Sequence, residues 1–381
     1  MTLRFAATEL TPSERALRDE VRSFLEAELP RGSFEPGLGM GAASDPAFTR
    51  RLAGRGWVGM AVPTRYGGHD RTAVDRFLVV AELLRWGAPI GYHWVSDRQT
   101  APMLLRYGSE HQRRRFLPAI CAGEIGFSIG MSEPDSGSDL ASVTTRAERV
   151  DGGWSLSGTK VWTSGAHEND WVVVLCRTSP LDADDRHGGL SQLIVDLSAP
   201  GVTVSPIPLL DGNAHFNEVV FDEVFVPDEL LLGVEGRGWA QNTSELAYER
   251  GGPDRWLSTY LLVEELLRTR ADDPPPGLVD LLGDVTARWM ALHDCSLAVA
   301  RAIDRGEAPA REAALVKEMG TRFEQEVLER VLGLVDGEPS PAAADRFGRL
   351  LATASLTSPA FTIRGGTIEI LRSVIARGLR P

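Results

Sequence analysis

Two stretches of this 381-residue chain carry residue types whose spacing suits chemistry on a flat, polar ligand. The first, Ile129-Gly-Met-Ser-Glu-Pro-Asp-Ser-Gly-Ser-Asp139, gathers small residues, hydroxyls and backbone N–H groups around one proline. That composition suits a loop whose main chain must approach a polar ligand closely. The second, Gly158-Thr-Lys-Val-Trp-Thr-Ser-Gly165, sets Trp162 two residues before Ser164, just after the strand-like Trp154-Ser-Leu-Ser157. An indole to stack on a ring and a hydroxyl to bond its edge make a cofactor seat. Taken singly, each piece reads equally as an ordinary turn or a core tryptophan.

The periodicity around them says what must hold them in place. Residues 11–29 read as an amphipathic helix, with Thr11 as cap, Pro12 in the first turn and Leu17, Val21, Phe24 and Leu25 on one face. Further helices are expected over 48–57, 72–86, 92–107 (interrupted near Pro102) and 111–122. The pattern then turns to short β-branched runs over 171–176, 193–197, 202–204 and 219–226, with no helix between them, which favours antiparallel pairing. The polar stretch over 181–189 reads as a solvated surface loop. Helical spacing resumes over 239–249, 255–270, 278–305, 309–334, 342–357 and 368–377, and the prolines at 274–276 break two of these apart. The reading is α+β in three units: residues 1–122 helical, 123–230 β, 231–381 helical.

Composition narrows the function. A net charge of −13 argues against a nucleic-acid surface and an anionic membrane as main partners. Cys121, Cys176 and Cys295 lie far apart without C-x-x-C spacing, so neither a disulfide framework nor a metal site is expected. The start shows no secretory pattern, and no apolar run approaches the ~18–20 residues of a membrane span. A soluble, cytoplasmic protein is expected.

The two opening stretches, in this order and separation, resemble the acyl-CoA dehydrogenase family, whose signatures are an A-M-T-E-P-x-A-G-S-D-like loop and a G-x-K-x-W-I-T-N-like segment. Val62-Pro-Thr-Arg-Tyr-Gly-Gly68, Gly236-Arg-Gly-Trp239, Tyr248-Glu-Arg250 and Ile363-Arg-Gly-Gly-Thr-Ile-Glu-Ile-Leu-Arg372 with Ile375-Ala-Arg377 resemble further family motifs. The matches run from about residue 57 to the C-terminus. The resemblance implies a helical N-terminal domain, a central antiparallel β-barrel-like domain and a C-terminal four-helix bundle. It also implies FAD, with the flavin ring between the β-domain and the bundle. On that basis the Met131–Ser132 loop meets the flavin pyrimidine edge, Trp162 stacks on the ring, and Ser164 bonds near N5, the hydride acceptor. Ser138 contacts the acyl-CoA, and Thr367 and Glu369 lie near the FAD phosphate and ribose, with Gly366 letting the backbone approach the thioester.

Desaturation removes an α-proton as hydride leaves the β-carbon, so a carboxylate base must face the flavin, its pKa raised by a closed pocket. In many family members that base is the glutamate of a C-terminal Y-E-G-T. Here the same positions are Arg364, Gly365, Gly366 and Thr367, and glycine cannot abstract a proton. A subset of the family carries the base on the first helix of the C-terminal domain, which in this sequence is Glu249, with Arg250 shaping the acyl-CoA pocket. Against these, Glu249 also reads as a solvated helix residue, and Glu369 as a cap or a partner of Arg372.

The resemblance implies α,β-desaturation of an acyl thioester, with CoA or an acyl carrier protein as carrier and electrons passing to an electron-transfer flavoprotein. The basic Arg113, Arg114 and Arg115 would suit an acidic carrier, or simply form a solvated face. Two family segments that reach a neighbouring subunit's FAD are missing. The region over 268–277 lacks R-x-x-F-G, and Arg330-Val-Leu-Gly-Leu-Val-Asp336 stands where Q-x-x-G-G-x-G is usual. Homodimer, homotetramer and a heteromer with a related subunit all stay open. So do a flavin monooxygenase of the same fold and a non-catalytic subunit of a heteromer.

Overall fold

The computed structural model describes residues 3, 5, 8–39, 43–242 and 250–379. The chain divides into two compact units, residues 1–43, 72–89 and 246–381 in one and 44–71 and 90–245 in the other.

The second of these units holds the sheet. Its helices are short: α2 (Pro46–Gly54), α4 (Gly91–Val95), α5 (Ala101–Tyr107) and α6 (Glu110–Cys121). The interruption expected near Pro102 is a π-turn over Ser96–Thr100 that leads directly into α5. Proline lacks the N–H that would bond back into the preceding turn, and a widened turn accommodates that loss. Helix α6 opens on a reciprocal cap between Ser109 and Gln112, and the Gln112 amide then donates to the carbonyls of Glu229 and Leu231 at 2.7 and 2.8 Å.

Among the described residues eight strands follow: β1 (Phe127–Gly130), β2 (Arg146–Val150), β3 (Gly153–Ser164), β4 (Trp171–Arg177), β5 (Leu190–Asp196), β6 (Val202–Ile207), β7 (Phe216–Pro227) and β8 (Leu231–Leu232). The hydrogen-bonded order is β6-β7-β3-β2-β4-β5-β8, with β1 on β4. Pairing is antiparallel except at β4, which takes β1 in parallel over four residues and touches β2 in parallel at Arg146. Sequence periodicity misses β1 and β2. The first is four residues long, and the second alternates charge with only Ala147 buried. The core between sheet and helices includes Phe116, Phe127, Trp154, Val172, Ile194, Val219 and Phe221.

Among the described residues the elements of the other unit are helices: α1 (Pro12–Glu28), α3 (Ala73–Trp86), α7 (Tyr260–Arg270), α8 (Leu278–Asp304), α9 (Ala310–Leu332), α10 (Arg346–Thr357) and α11 (Ile368–Leu379). The pairs in contact include α1 on α3, α3 on α8, α8 on α9, α7 on α10 and α9 on α11. Thr11 with Glu14 and Thr72 with Asp75 form reciprocal caps at the starts of α1 and α3. Glu14 then reaches Arg301 of α8 at 2.5 Å, so the cap of one helix ties down another. The helix expected from residue 255 starts only at Tyr260. Residues Pro253–Arg255 are a tight 3-10 turn that turns Arg255 and Trp256 into the interior, at 0% and 3% exposure. Among the described residues no helix is long and apolar enough to cross a membrane.

Candidate active site

The residues singled out from the sequence fall in both units. In the β unit the organising contact is buried. Strand β3 alternates Trp154, Leu156 and Lys160 inward, and the Lys160 side chain is 0% exposed. Its ammonium donates to Glu133 Oε1 at 2.8 Å and to the Met131 carbonyl at 3.0 Å. The Glu133 carboxylate also accepts from Thr144 N at 2.6 Å, Thr144 Oγ1 at 2.8 Å and Thr145 N at 2.9 Å. Burial pushes the Glu133 carboxyl up, but the Lys160 charge and these hydrogen bonds outweigh it and hold it at about 2. Glu133 is therefore ionised at neutral pH, while burial draws the Lys160 ammonium below its ordinary value and the Glu133 charge opposes that shift.

That pair fixes the loop carrying Ser132 and Ser138. The backbone of Glu133 exchanges hydrogen bonds with that of Ser136, and Ser136 Oγ donates to the Asp139 carbonyl at 2.6 Å. Val161 N donates to the Ser132 carbonyl at 2.9 Å, stitching the loop to β3. Directly afterwards the β3–β7 register shifts between Lys160 and Thr163, and Trp162 takes a left-handed φ of 60°. A bulky residue in that region is strained, and such strain clusters where a side chain must be aimed. Trp162 stands 55% exposed, and its indole meets the Phe216 ring edge to face at 6.0 Å between centroids. Two residues on, the Ser164 carbonyl accepts Ser128 Oγ at 2.8 Å. Among the described residues the Ser132 and Ser164 hydroxyls make no hydrogen bond. The aimed indole, with Ser164 two residues on and the Ser132 carbonyl bonded to the neighbouring Val161 N, fits a planar ring with polar edges, and so fits FAD.

Ser138 is exposed beside Asp139, whose carboxylate takes Arg186 at 2.7 Å and Ser142 at 2.6 Å. Arg186 belongs to the polar stretch over 181–189, which is therefore a folded-back arm, with His187 stacked on Trp239 at 4.1 Å. The basic cluster on α6 is also engaged: Arg114 pairs with Glu110 at 2.7 Å, Arg115 with Glu229 at 3.3 Å, and Arg113 Nε donates to the Leu104 carbonyl.

In the helical unit, Arg250 is 7% exposed and its Nε donates to the Gly365 carbonyl at 3.1 Å. Lys317 of α9 donates to the Gly366 carbonyl at 2.8 Å. Both glycines are left-handed, with φ of 66° and 96°, a conformation that favours glycine. Thr367 then starts α11, its Oγ1 accepting Ile370 N at 3.4 Å. The Glu369 carboxyl is held below its ordinary value by its own backbone N–H and by Thr367, so its local role is at the helix start. Arg372 pairs with Glu318 of α9 at 2.9 Å, and its charge also helps lower Glu369. Glu249 lies outside the described residues.

The structure therefore brings together Met131, Ser132 and Trp162 in one unit and Arg250, Gly366 and Thr367 in the other. Sequence reading passed over Glu133, Lys160, Arg255, Lys317 and Glu324. Only Lys160 left a signal, as a charged residue at an inward position of an alternating strand.

The same chain matches three family models: Acyl-CoA dehydrogenase, N-terminal domain over residues 11–124, middle domain over 128–224 and C-terminal domain over 264–380. It is 32% identical to "Acyl-CoA dehydrogenase FadE29" of Mycobacterium tuberculosis over 380 residues, covering 97% of this chain and 96% of that one. Against FadE34 of the same organism it is 34% identical over 86% of its own length, but spans only 45% of that longer relative. Among solved structures, the "Tcur3481-Tcur3483 steroid ACAD" superposes with a TM-score of 0.85 at 28% identity, covering 98% of this chain and 99% of that one. The ChsE4-ChsE5 complex from Mycobacterium tuberculosis gives 0.82 at 27%, covering 99% and 100%. The family matches and the full-length relative make this chain an α+β oxidoreductase acting on the CH–CH bond of acyl thioesters. The chain belongs to the acyl-CoA dehydrogenase family.

Proposed function

We propose that this chain is an FAD-dependent acyl-CoA dehydrogenase that desaturates an acyl thioester between its α and β carbons, with Glu249 as the base. The observation that carries the reading is Trp162, strained and exposed on the stretch matched to the family's middle domain. FAD, when bound, supplies the acceptor for the hydride that leaves the β carbon. Trp162 would stack on the ring, and Met131, Ser132 and Ser164 would line its polar edges. Ser138 meets the thioester's carrier. Glu249 takes the α-proton, and Arg250, anchored on the Gly365 carbonyl, shapes the acyl pocket beside it. Gly366 would leave room for the thioester to approach the backbone, and Thr367 with Glu369 would face the dinucleotide's phosphate and ribose from the start of α11.

The division at 122/123 and 230/231, a cytoplasmic location and an electron-transfer flavoprotein as acceptor belong to the same proposal. Three family matches in that order support the division, and three unpaired cysteines suit a reducing compartment. The carrier is CoA or an acyl carrier protein. For assembly, a heteromer with a related subunit is favoured over a homo-oligomer. The segments over 268–277 and 330–336 lack the family's contacts to a neighbour's FAD, and one close structural neighbour is a complex of two named chains.

The test is an anaerobic visible spectrum of the purified protein before and after a panel of acyl-CoA thioesters. Bleaching of a flavin band by one thioester class is expected. A flavin band that no thioester bleaches, but that a reductant and O₂ convert to a hydroxylating species, would replace this reading with the monooxygenase.

A further inference from the structure

Beneath the Gly365–Gly366 turn lies a set of buried charges that the reading above does not use. Arg255 and Asp254 are 0% and 1% exposed, with Arg255 Nε 2.9 Å from Asp254 Oδ2. Glu324 of α9 is equally sealed. Its Oε2 takes Arg364 Nη2 at 2.5 Å, and its Oε1 takes Ser258 N at 2.7 Å. Arg364 Nη2 also donates to Ser258 Oγ at 3.0 Å. Burial pushes the Glu324 carboxyl up and the Arg364 guanidinium down, and each charge opposes that shift in the other. Buried charges are tolerated when paired, and removing one partner strands the other. The two ion pairs also act on one another: the Asp254 charge pushes the Glu324 carboxyl further up, and the Arg255 charge pushes the Arg364 guanidinium further down.

Its consequence falls on the turn. A Cβ on Gly365 would stand 2.7 Å from Arg255 Nη2 and 2.9 Å from its Cζ, so the guanidinium fills the space a side chain there would need. Arg364, the residue before, is pulled into the bundle by Glu324. Between these two constraints the Gly365 carbonyl is presented to Arg250 Nε at 3.1 Å and the Gly366 carbonyl to Lys317 Nζ at 2.8 Å. Close packing beneath preserves the set: a Cβ on Gly320 of α9 would lie 2.4 Å from the Arg255 carbonyl oxygen.

We infer that Arg255 and Arg364 are positioning residues for the acyl pocket: locked with Asp254 and Glu324, they fix the Gly365–Gly366 turn and, through its carbonyl, the guanidinium of Arg250. This rests on the reading of Arg250 as a pocket residue. It explains why the chain carries Arg-Gly-Gly over 364–366, since the charge cluster occupies the volume a side chain at 365 would claim.

The test is a double-mutant cycle on the flavin-loaded protein, or on the assembled heteromer, with Arg364→Gln, Arg250→Gln and the pair. The readouts are kcat/KM for the best thioester, flavin content and melting temperature. If Arg364 acts through Arg250, each single change lowers kcat/KM about tenfold and the pair falls little further, because contacting residues couple rather than add. Arg364→Lys should recover much of the loss while Arg364→Gln does not. Losses that multiply in the pair, or an Arg364→Gln protein with unchanged kcat/KM, would overturn the inference. Should Arg364→Gln fail to fold, Arg255→Lys crossed with Arg250→Gln gives the same reading. Glu249→Gln measured in parallel separates the two claims. Turnover surviving in that variant defeats the base assignment, whereas missing coupling with Glu249→Gln inactive defeats only the positioning role.

Discussion

The Lys160 ammonium sits 2.8 Å from Glu133 Oε1 and 3.0 Å from the Met131 carbonyl, with both side chains shut off from solvent. One buried contact thus joins strand β3, the loop bearing Ser132 and the entry to β2 through Thr144 and Thr145. Replacing Lys160 with Met leaves an unpaired carboxylate and should cost about 3–5 kcal/mol, the usual penalty for stranding one buried charge. Chemical denaturation would measure that loss, and retained flavin would be lost with it. A Lys160→Met protein of wild-type stability would show that the pair does not hold the loop.

The same carboxylate gives a pH signature. The Glu133 carboxyl is lowered from an ordinary 4.5 to about 2 in the folded protein. A depressed carboxyl contributes stability that is fully present above the unfolded value and is lost as pH falls through the folded one. Thermal melting should therefore weaken between about pH 4.5 and 2, and Glu133→Gln should flatten that part of the profile.

Trp162 separates binding from stability. Because its indole is 55% exposed, Trp162→Phe should change folding stability by no more than about 0.5 kcal/mol. Flavin affinity should fall clearly, read by the FAD retained after gel filtration. Equal losses in both would mark the indole as packing rather than a ring seat.

A pair of glycines contrasts strain with freedom. Gly365→Ala would force a left-handed alanine against Arg255 and should destabilise by about 1–3 kcal/mol. Gly283, exposed within α8 with open space around it, should instead gain up to about 1 kcal/mol on conversion to alanine. Melting curves of the two variants test this directly.

These residues also show where sequence was readable. Helices with an apolar face and a reciprocal cap, such as α1 and α3, appear within a residue or two of their expected limits, because cap and periodicity agree. Strands β1 and β2 stayed hidden, since four residues or a charged alternation carry no burial signal. In the site, Trp162 and Ser132 announce themselves by type, while Glu324 and Arg255 look like solvated charges. Their importance arises only when Arg364, 40 residues from Glu324, folds back onto it. Arg364-Gly365-Gly366 was legible as a missing base, but not as the lid of a charge cluster.

The most direct measurement is the rate of anaerobic flavin bleaching by an acyl-CoA thioester in Glu249→Gln against the wild type, at matched flavin content. Loss of bleaching with the flavin still bound is the predicted result, since the amide cannot take the α-proton. Bleaching at the wild-type rate would contradict Glu249 as the base and send the search for a proton acceptor elsewhere.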